Sequence, residues 1–424
     1  MSHFRTFLRA GHAPTLAASF FYLTFTFIVW VLNGALAPFI SESFGLSPAQ
    51  KGLMLSIPIM AGALMRFPLG VLAQYIGRKR ATLVEMALIA VAMLYGYLHV
   101  HSFHDLLAMG ALLGVAGASF GVAMSLGSGW FPAQYKGLAM GLVGAGNIGT
   151  AVAVLLAPPL AQVFGWQAVY GIAAASVAVP AIVMIVFAIE PPDVNRHAGL
   201  RAQLACLFEK DGWAFSLIYI ITFGGFIGLS SFLPTYYYDQ FHVSKVQAGQ
   251  LAMLAAFMGS VLRIFGGWIS DHWGGVNTLT LVLIVVAVCM LLNVAAGSSV
   301  FATTLLLMIG FAALGAGNGA LFQLVPLRWP LTTAVSSAMI GEVGALGGSL
   351  IPASMGLAKQ AFGSYGGGFV LFAIASLVVL VVMRRMQLRW TRTWVADGGR
   401  AHGAVPAAAP EVARSFGTAE TTAG

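Results

Sequence analysis

Twelve apolar runs, each long enough to cross a bilayer, bound what this chain can fold into. Their limits lie at about 16–40, 52–74, 82–99, 105–129, 138–160, 166–189, 213–236, 247–270, 278–297, 300–325, 333–357 and 367–386. A spanning helix needs about 20 apolar residues. Strands of a membrane barrel alternate apolar and polar positions, and these runs do not. Charged residues make up only 8% of the chain, against about 25% in soluble domains, so water-soluble architectures are excluded. The apolar content of 59% excludes disorder over most of the length. The first run is too long for the core of a cleavable signal and lacks a small-x-small cleavage site. The expected fold is an all-α membrane protein with 12 transmembrane helices.

The longest internal polar stretch divides the runs six and six. The expected units are an N-terminal six-helix bundle (1–189), a cytoplasmic linker (190–212), a C-terminal six-helix bundle (213–390) and a disordered cytoplasmic tail (391–424). If both termini are cytoplasmic, sixteen of the 21 Lys and Arg fall on inside segments. Only Lys51, Lys245 and Lys359 fall outside, and Arg66 and Arg263 lie within runs. That asymmetry predicts an N-in, C-in topology in the cytoplasmic membrane. The basic residues share no soluble face, so the net charge of +8 does not mark a nucleic-acid binder. Cys206 and Cys289 are too few for a disulfide framework and are not expected to pair.

The two halves repeat. At a shift of 197 residues, Ser47, Gln50, Gly52, Arg66, Gly70 and Gly77 fall on Ser244, Gln247, Gly249, Arg263, Gly267 and Gly274. Both copies enter the membrane from the same side, so the axis relating them runs along the membrane normal. Transporters of this build place their site at the repeat interface.

Arg66 and Arg263 carry the sharpest functional signal. An arginine at the centre of a span costs about 2.5–3.5 kcal/mol on insertion scales. The repeat places the two at equivalent positions, facing each other over a central cavity. Two planar donor forks suit a planar oxyanion. The bland alternative ties both arginines to backbone carbonyls and to Glu342, the acidic residue expected to lie deep. Glu342 is also a candidate for proton coupling. Asn147 sits in a glycine-rich stripe, Gly137 to Gly149, whose G-x-G-x-x-G lacks the preceding strand and following acid of a dinucleotide site. Its bland role is an interhelical hydrogen bond, and Asn318 and Gln323 are read the same way. His99, His101 and His104 do not form a zinc pattern, so no metal or cofactor is expected.

Gly70-Val-Leu-Ala-Gln74-Tyr-Ile-Gly77-Arg78-Lys79-Arg80 resembles the loop 2–3 motif of the major facilitator superfamily, with Gln74 where an Asp is usual and Asp271 at the matching place in the second half. Trp130-Phe131-Pro132, Gly141 to Gly149, Ala157-Pro158 and Gly317-Asn318-Gly319 to Pro326 resemble the nitrate/nitrite porters of that superfamily. The resemblance implies an anion clamp of Arg66 and Arg263, with Asn147, Tyr219, Phe120 and Phe223 around it. Phe27 or Phe25 would be the aromatic of the first span. It further implies secondary transport of nitrate, nitrite or both, as nitrate/nitrite exchange or proton symport, by a monomer whose partners are the anion, possible protons and the bilayer. The nearest rival is a carrier of formate or another small monovalent anion. No span holds a nucleophile–base pair or carboxylate pair, so an enzyme is not expected. A sensor would be expected to carry a folded cytoplasmic domain.

Overall fold

The computed structural model describes residues 2–192, 205–330 and 332–400. Twelve helices are long and apolar enough to span a membrane, and they are labelled α1 (Ala13–Phe44), α2 (Pro48–Ile76), α3 (Arg78–Leu98), α4 (Phe103–Ser128), α5 (Leu138–Phe164), α6 (Trp166–Phe187), α7 (Lys210–Phe241), α8 (Lys245–Trp273), α9 (Gly275–Ala296), α10 (Val300–Arg328), α11 (Val335–Phe362) and α12 (Gly366–Thr393). They match the twelve expected runs one for one. Most extend a few residues further, because polar caps prolong the apolar segments. Ser47 and Gln50 close a reciprocal capping box at the start of α2, and Ser244 and Gln247 close the same box at the start of α8. Each box satisfies two backbone N–H groups at a helix start.

The sequence repeat is also a structural one. Gly77 and Gly274 take the same extended, positive-φ conformation, at 92° and 97°. Gly45 and His242, again 197 apart, both end a helix in the left-handed region. An even number of spans puts residues 2–12 and 394–400 on one face, here the terminal face. The far face is where the halves pack most tightly. A Cβ on Gly34 of α1 would overlap the backbone of Ser231 in α7, its own repeat mate. Gly52 of α2 is pressed against the Pro352 carbonyl of α11, and Gly249 of α8 against the Val154 carbonyl of α5. Small residues allow such backbone approach between spans.

Two regions differ from the sequence reading. Residues read as the end of a linker are structured: Ala205–Phe208 form a 3-10 turn and α7 begins at Lys210. Asp211 is buried there, accepting hydrogen bonds from Arg328 Nε (2.6 Å), Arg389 (2.9 Å) and Trp390 Nε1 (2.9 Å). It ties the ends of α7, α10 and α12 together. The tail expected to be disordered from 391 is ordered as far as Arg400, because Trp390 and Trp394 join Phe215 in an aromatic cluster and Val395 is buried. Residues 401–424, the linker residues 193–204, and with them Arg196, Arg201 and Arg414, lie outside the described residues. In the first half, Glu190 accepts from the backbone N–H groups of Arg78 (2.8 Å) and Lys79 (2.9 Å). A carboxylate from beyond α6 therefore caps α3. Cys206 and Cys289 are both free and buried.

Asp211→Ala is expected to lower stability by about 2 kcal/mol, read as a lower unfolding midpoint of the purified protein. That is below the full cost of breaking a buried ion pair, because Arg328 and Arg389 keep 27% and 47% side-chain exposure and can turn to solvent.

Candidate functional site

Each guanidinium lies in a shell of aromatic rings. The Arg66 guanidinium stands 5.4 Å from the Phe120 ring centre, 5.3 Å from Phe223 and 5.6 Å from Trp30. Arg263 stands 5.4 Å from the same Phe120 ring and 5.8 Å from Phe322. Phe120 thus serves both cations, one from each half. A desolvated cation–π contact contributes about 2 kcal/mol, so several offset much of the cost of an arginine in a span.

The hydrogen bonds satisfy the arginines only in part. Arg66 Nε donates to the Gly117 carbonyl (3.0 Å) and Nη1 to the Gly341 carbonyl of the opposite half (2.6 Å). To that extent the bland reading of Arg66 holds. Yet Arg66 Nη2 and Arg263 Nη1 are buried with no partner. So are the Tyr219 hydroxyl, both side-chain polar atoms of Asn147, and Glu342 Oε2. Buried polar groups are ordinarily paired, and these atoms belong to residues that the sequence had singled out. The hydrogen bond expected of Asn147 as packing glue is not made, nor is that of Asn318, whose two polar atoms are also unpaired.

The other residues singled out in the sequence gather here. The Tyr219 and Phe223 rings stack at 5.0 Å, Phe223 sits 6.0 Å from Phe120, and Phe27 is 6.4 Å from Phe223. Phe27, fully buried, is the first-span aromatic that joins this cluster. Phe25 has no ring contact with it among those described. Sequence reasoning missed Trp30, whose Nε1 donates to the Pro58 carbonyl (2.8 Å), and Phe322, which meets Tyr219 edge-on at 5.3 Å.

Three spans lose regular helical winding at this depth. α4 tightens to 3-10 at Gly114–Ala118, just before Phe120. α5 does so at Ala145–Ile148, around Asn147. α7 widens to a π turn at Ile220–Gly224, which carries Phe223. Such departures often mark functional positions.

Toward the terminal face from the arginines, two glycine positions are uncrowded. Gly70 lies one turn past Arg66 on the same face of α2, and a Cβ there would meet nothing within 4 Å. The same holds for Gly141, one turn before Gly144, which lies against Arg263. Glu85 of α3 is fully buried, with neither carboxylate oxygen hydrogen-bonded. His99, His101 and His104, around the turn between α3 and α4, are exposed, and among the described residues no His/Cys/Asp/Glu group could hold a metal.

Comparison with known proteins places the chain. The Major Facilitator Superfamily model matches residues 18–352. The chain is 31% identical over 364 residues to the probable nitrate transporter NarT of Staphylococcus haemolyticus, covering 84% of this chain and 92% of that one. It is 28% identical over 374 residues to the nitrite extrusion protein of Bacillus subtilis, covering 87% and 93%. The fold matches a bacterial homolog of the human lysosomal transporter Spinster with a TM-score of 0.67 at 19% identity, over 89% of this chain and 96% of that one. It matches the human organic anion transporter MFSD10 with a TM-score of 0.69 at 16% identity, over 88% and 99%. The chain belongs to the major facilitator superfamily and, within it, to the nitrate/nitrite porters. It is a multi-pass membrane transporter, not an enzyme.

Proposed function

We propose that this porter carries nitrate, and nitrite with it, across the cytoplasmic membrane by alternating access, with both termini in the cytoplasm. The observation that carries the reading is the pair of guanidiniums set against one Phe120 ring, each with a buried donor left unpaired. Nitrate is small, flat and singly charged. Arg66 and Arg263 would supply charge and forked donors. Asn147 and Tyr219 would add neutral hydrogen bonds. Phe120, Phe223 and Phe27 would wall the ion and keep water out, which strengthens every polar contact inside. Nitrite fits the same donors with one oxygen fewer. The substrates named for the two relatives, nitrate and nitrite, agree with this chemistry.

Moving one negative charge into a negative interior costs about 2.3 kcal/mol per 100 mV, so uptake needs coupling. Exchange against internal nitrite moves no net charge. Symport with two or more protons makes the inward step electrically favourable, and Glu342, with its buried unpaired Oε2, is the group we assign to one of those protons.

The test is uptake of labelled nitrate into proteoliposomes, with nitrite or buffer inside and a proton gradient imposed or absent. Uptake that requires internal nitrite and ignores the gradient means exchange and leaves Glu342 structural. Uptake into buffer-filled vesicles driven by inward protons means symport. Saturable uptake of formate in place of nitrate would overturn the substrate assignment.

A further inference from the structure

The packing of α8 on α10 repeats that of α2 on α4. A Cβ on Gly62 of α2 would press on the Gly114 carbonyl of α4, and a Cβ on Gly259 of α8 would press on the Phe311 carbonyl of α10, each at 2.9 Å. Gly62 and Gly259 are 197 residues apart, and so are Gly114 and Phe311. The two helix pairs are therefore in one register at that level. Past it they diverge. α4 winds as a 3-10 helix over Gly114–Ala118, whereas α10 is regular α-helix from Val300 to Arg328. Each 3-10 residue turns the chain by about 120°, against about 100° in an α-helix. Over the five residues of this segment the gain is about 100°, the turn of one further α-helical residue. The direction that α4 gives Phe120, six residues after Gly114, is thus the direction that α10 gives Asn318, seven residues after Phe311.

We propose that Asn318 is a further substrate-contacting residue, its amide donating to the anion from the side opposite Phe120. The contact presupposes an anion held between Arg66 and Arg263. Phe120 stands 5.4 Å from each guanidinium. The pseudo-two-fold axis exchanges the arginines, so a side chain at the mate of Phe120 also addresses both. The neighbours of Asn318 agree with that placement. Gly315 and Gly319 face α8, the second of them against the Arg263 carbonyl, while Leu314 and Gly317 face α7, against Gly225 and Thr222. On a regular helix Asn318 falls between those two directions, in the sector that Phe322 occupies one turn on. The Phe322 ring lies 5.8 Å from the Arg263 guanidinium and 5.3 Å from the Tyr219 ring. Asn318 is fully buried, and among the described residues neither of its polar atoms has a partner. A buried amide without partners costs stability, so packing alone is a poor account of it. The choice of residue also suits an anion. The face of an aromatic ring is negative, and a second ring at this place would repel the ion that the two cations draw in. An amide presents N–H donors instead.

The experiment reads the thermal unfolding midpoint of the purified full-length protein against sodium nitrate, with sodium gluconate holding the ionic strength constant. A ligand that binds only the folded state raises the midpoint. Asn318→Leu keeps the branched shape and removes the amide. It is expected to leave the nitrate-free midpoint at or above the parental one, because a buried unpaired group is gone. It is also expected to raise, about ten- to a hundredfold, the nitrate concentration needed for a set rise in midpoint, the range of one hydrogen bond to a charged group. Asn318→Ala leaves a small void and lowers the nitrate-free midpoint, yet is expected to weaken the nitrate response by the same factor, so the readout survives a loss of stability. A response at parental nitrate concentrations in both variants would overturn the contact and leave Asn318 to packing. A parent protein that does not respond to nitrate would overturn the arginine site as a whole and the contact with it, a result distinct from the first.

Discussion

Arg66→Lys and Arg263→Lys each lower nitrate uptake by about two orders of magnitude in proteoliposomes holding equal amounts of inserted protein. The size follows from the geometry. Arg66 uses Nε and Nη1 on the Gly117 and Gly341 carbonyls and still holds Nη2 free toward the cluster. A lysine keeps the charge on a single nitrogen. It cannot satisfy two carbonyls in different spans and also present a donor to the ion. One to two charge-assisted hydrogen bonds are lost, each contributing about 1.5–3 kcal/mol. Tyr219→Phe is the internal comparison, because it removes only one neutral donor and costs about 1 kcal/mol, or fivefold. The order matters more than any single figure. If both lysine variants transport within threefold of the parent, the arginines are structural and the clamp fails.

The arginines were legible because a charge in an apolar run stands out, and because the repeat gave each one a mate. Their surroundings were far less so. Trp30 and Phe322 are two more aromatics in aromatic-rich spans, and nothing in their spacing separates a ring that faces a cation from one that faces lipid. The Gly117 and Gly341 carbonyls are backbone groups and leave no trace in residue identity. The irregular turns at Gly114–Ala118, Ala145–Ile148 and Ile220–Gly224 shift which residues share a face, and regular helical spacing cannot foresee them. Asp211 and Glu85 show the converse. Asp211 lies in a polar stretch of the sequence and Glu85 near the end of its apolar run, and neither pattern foretells that both are fully buried. What decides each is which element packs against it, which is a property of the assembled bundle. The far-face ion pairs, Lys51 with Asp239 and Lys245 with Glu42, lie between these cases. Glu42 and Asp239 sit at the repeat shift in plain view, but their lysines do not: the position 197 after Lys51 is Ala248, and the position 197 before Lys245 is Pro48. Only the folded chain shows that two offset lysines serve the same reciprocal role.

Gly249→Val abolishes turnover, at least tenfold in uptake, while leaving the protein inserted and the anion site intact. Gly249 packs so closely on the Val154 carbonyl and the Pro158 ring of the other half that even a methyl group has no room, and Gly52 stands the same way against Pro352. Most steric conflicts in a core relax by moving a side chain. Here the obstacle is backbone held in a helix, so the only relief is to part α8 from α5. That separation opens the far face. A branched side chain at Gly249 therefore holds the carrier with its far face open, and a carrier confined to one side cannot deliver. The signature is a pair of measurements that a misfolded protein would not give: lost uptake together with faster thiol labelling at Ser231→Cys. Gly52→Val should give the same pair, because the repeat makes the two contacts equivalent. Gly70→Val, one turn past Arg66 with nothing near its Cβ position, should leave far-face labelling unchanged. Near-parental uptake in Gly249→Val would mean that the far-face seam seen here is not a closure the transport cycle requires.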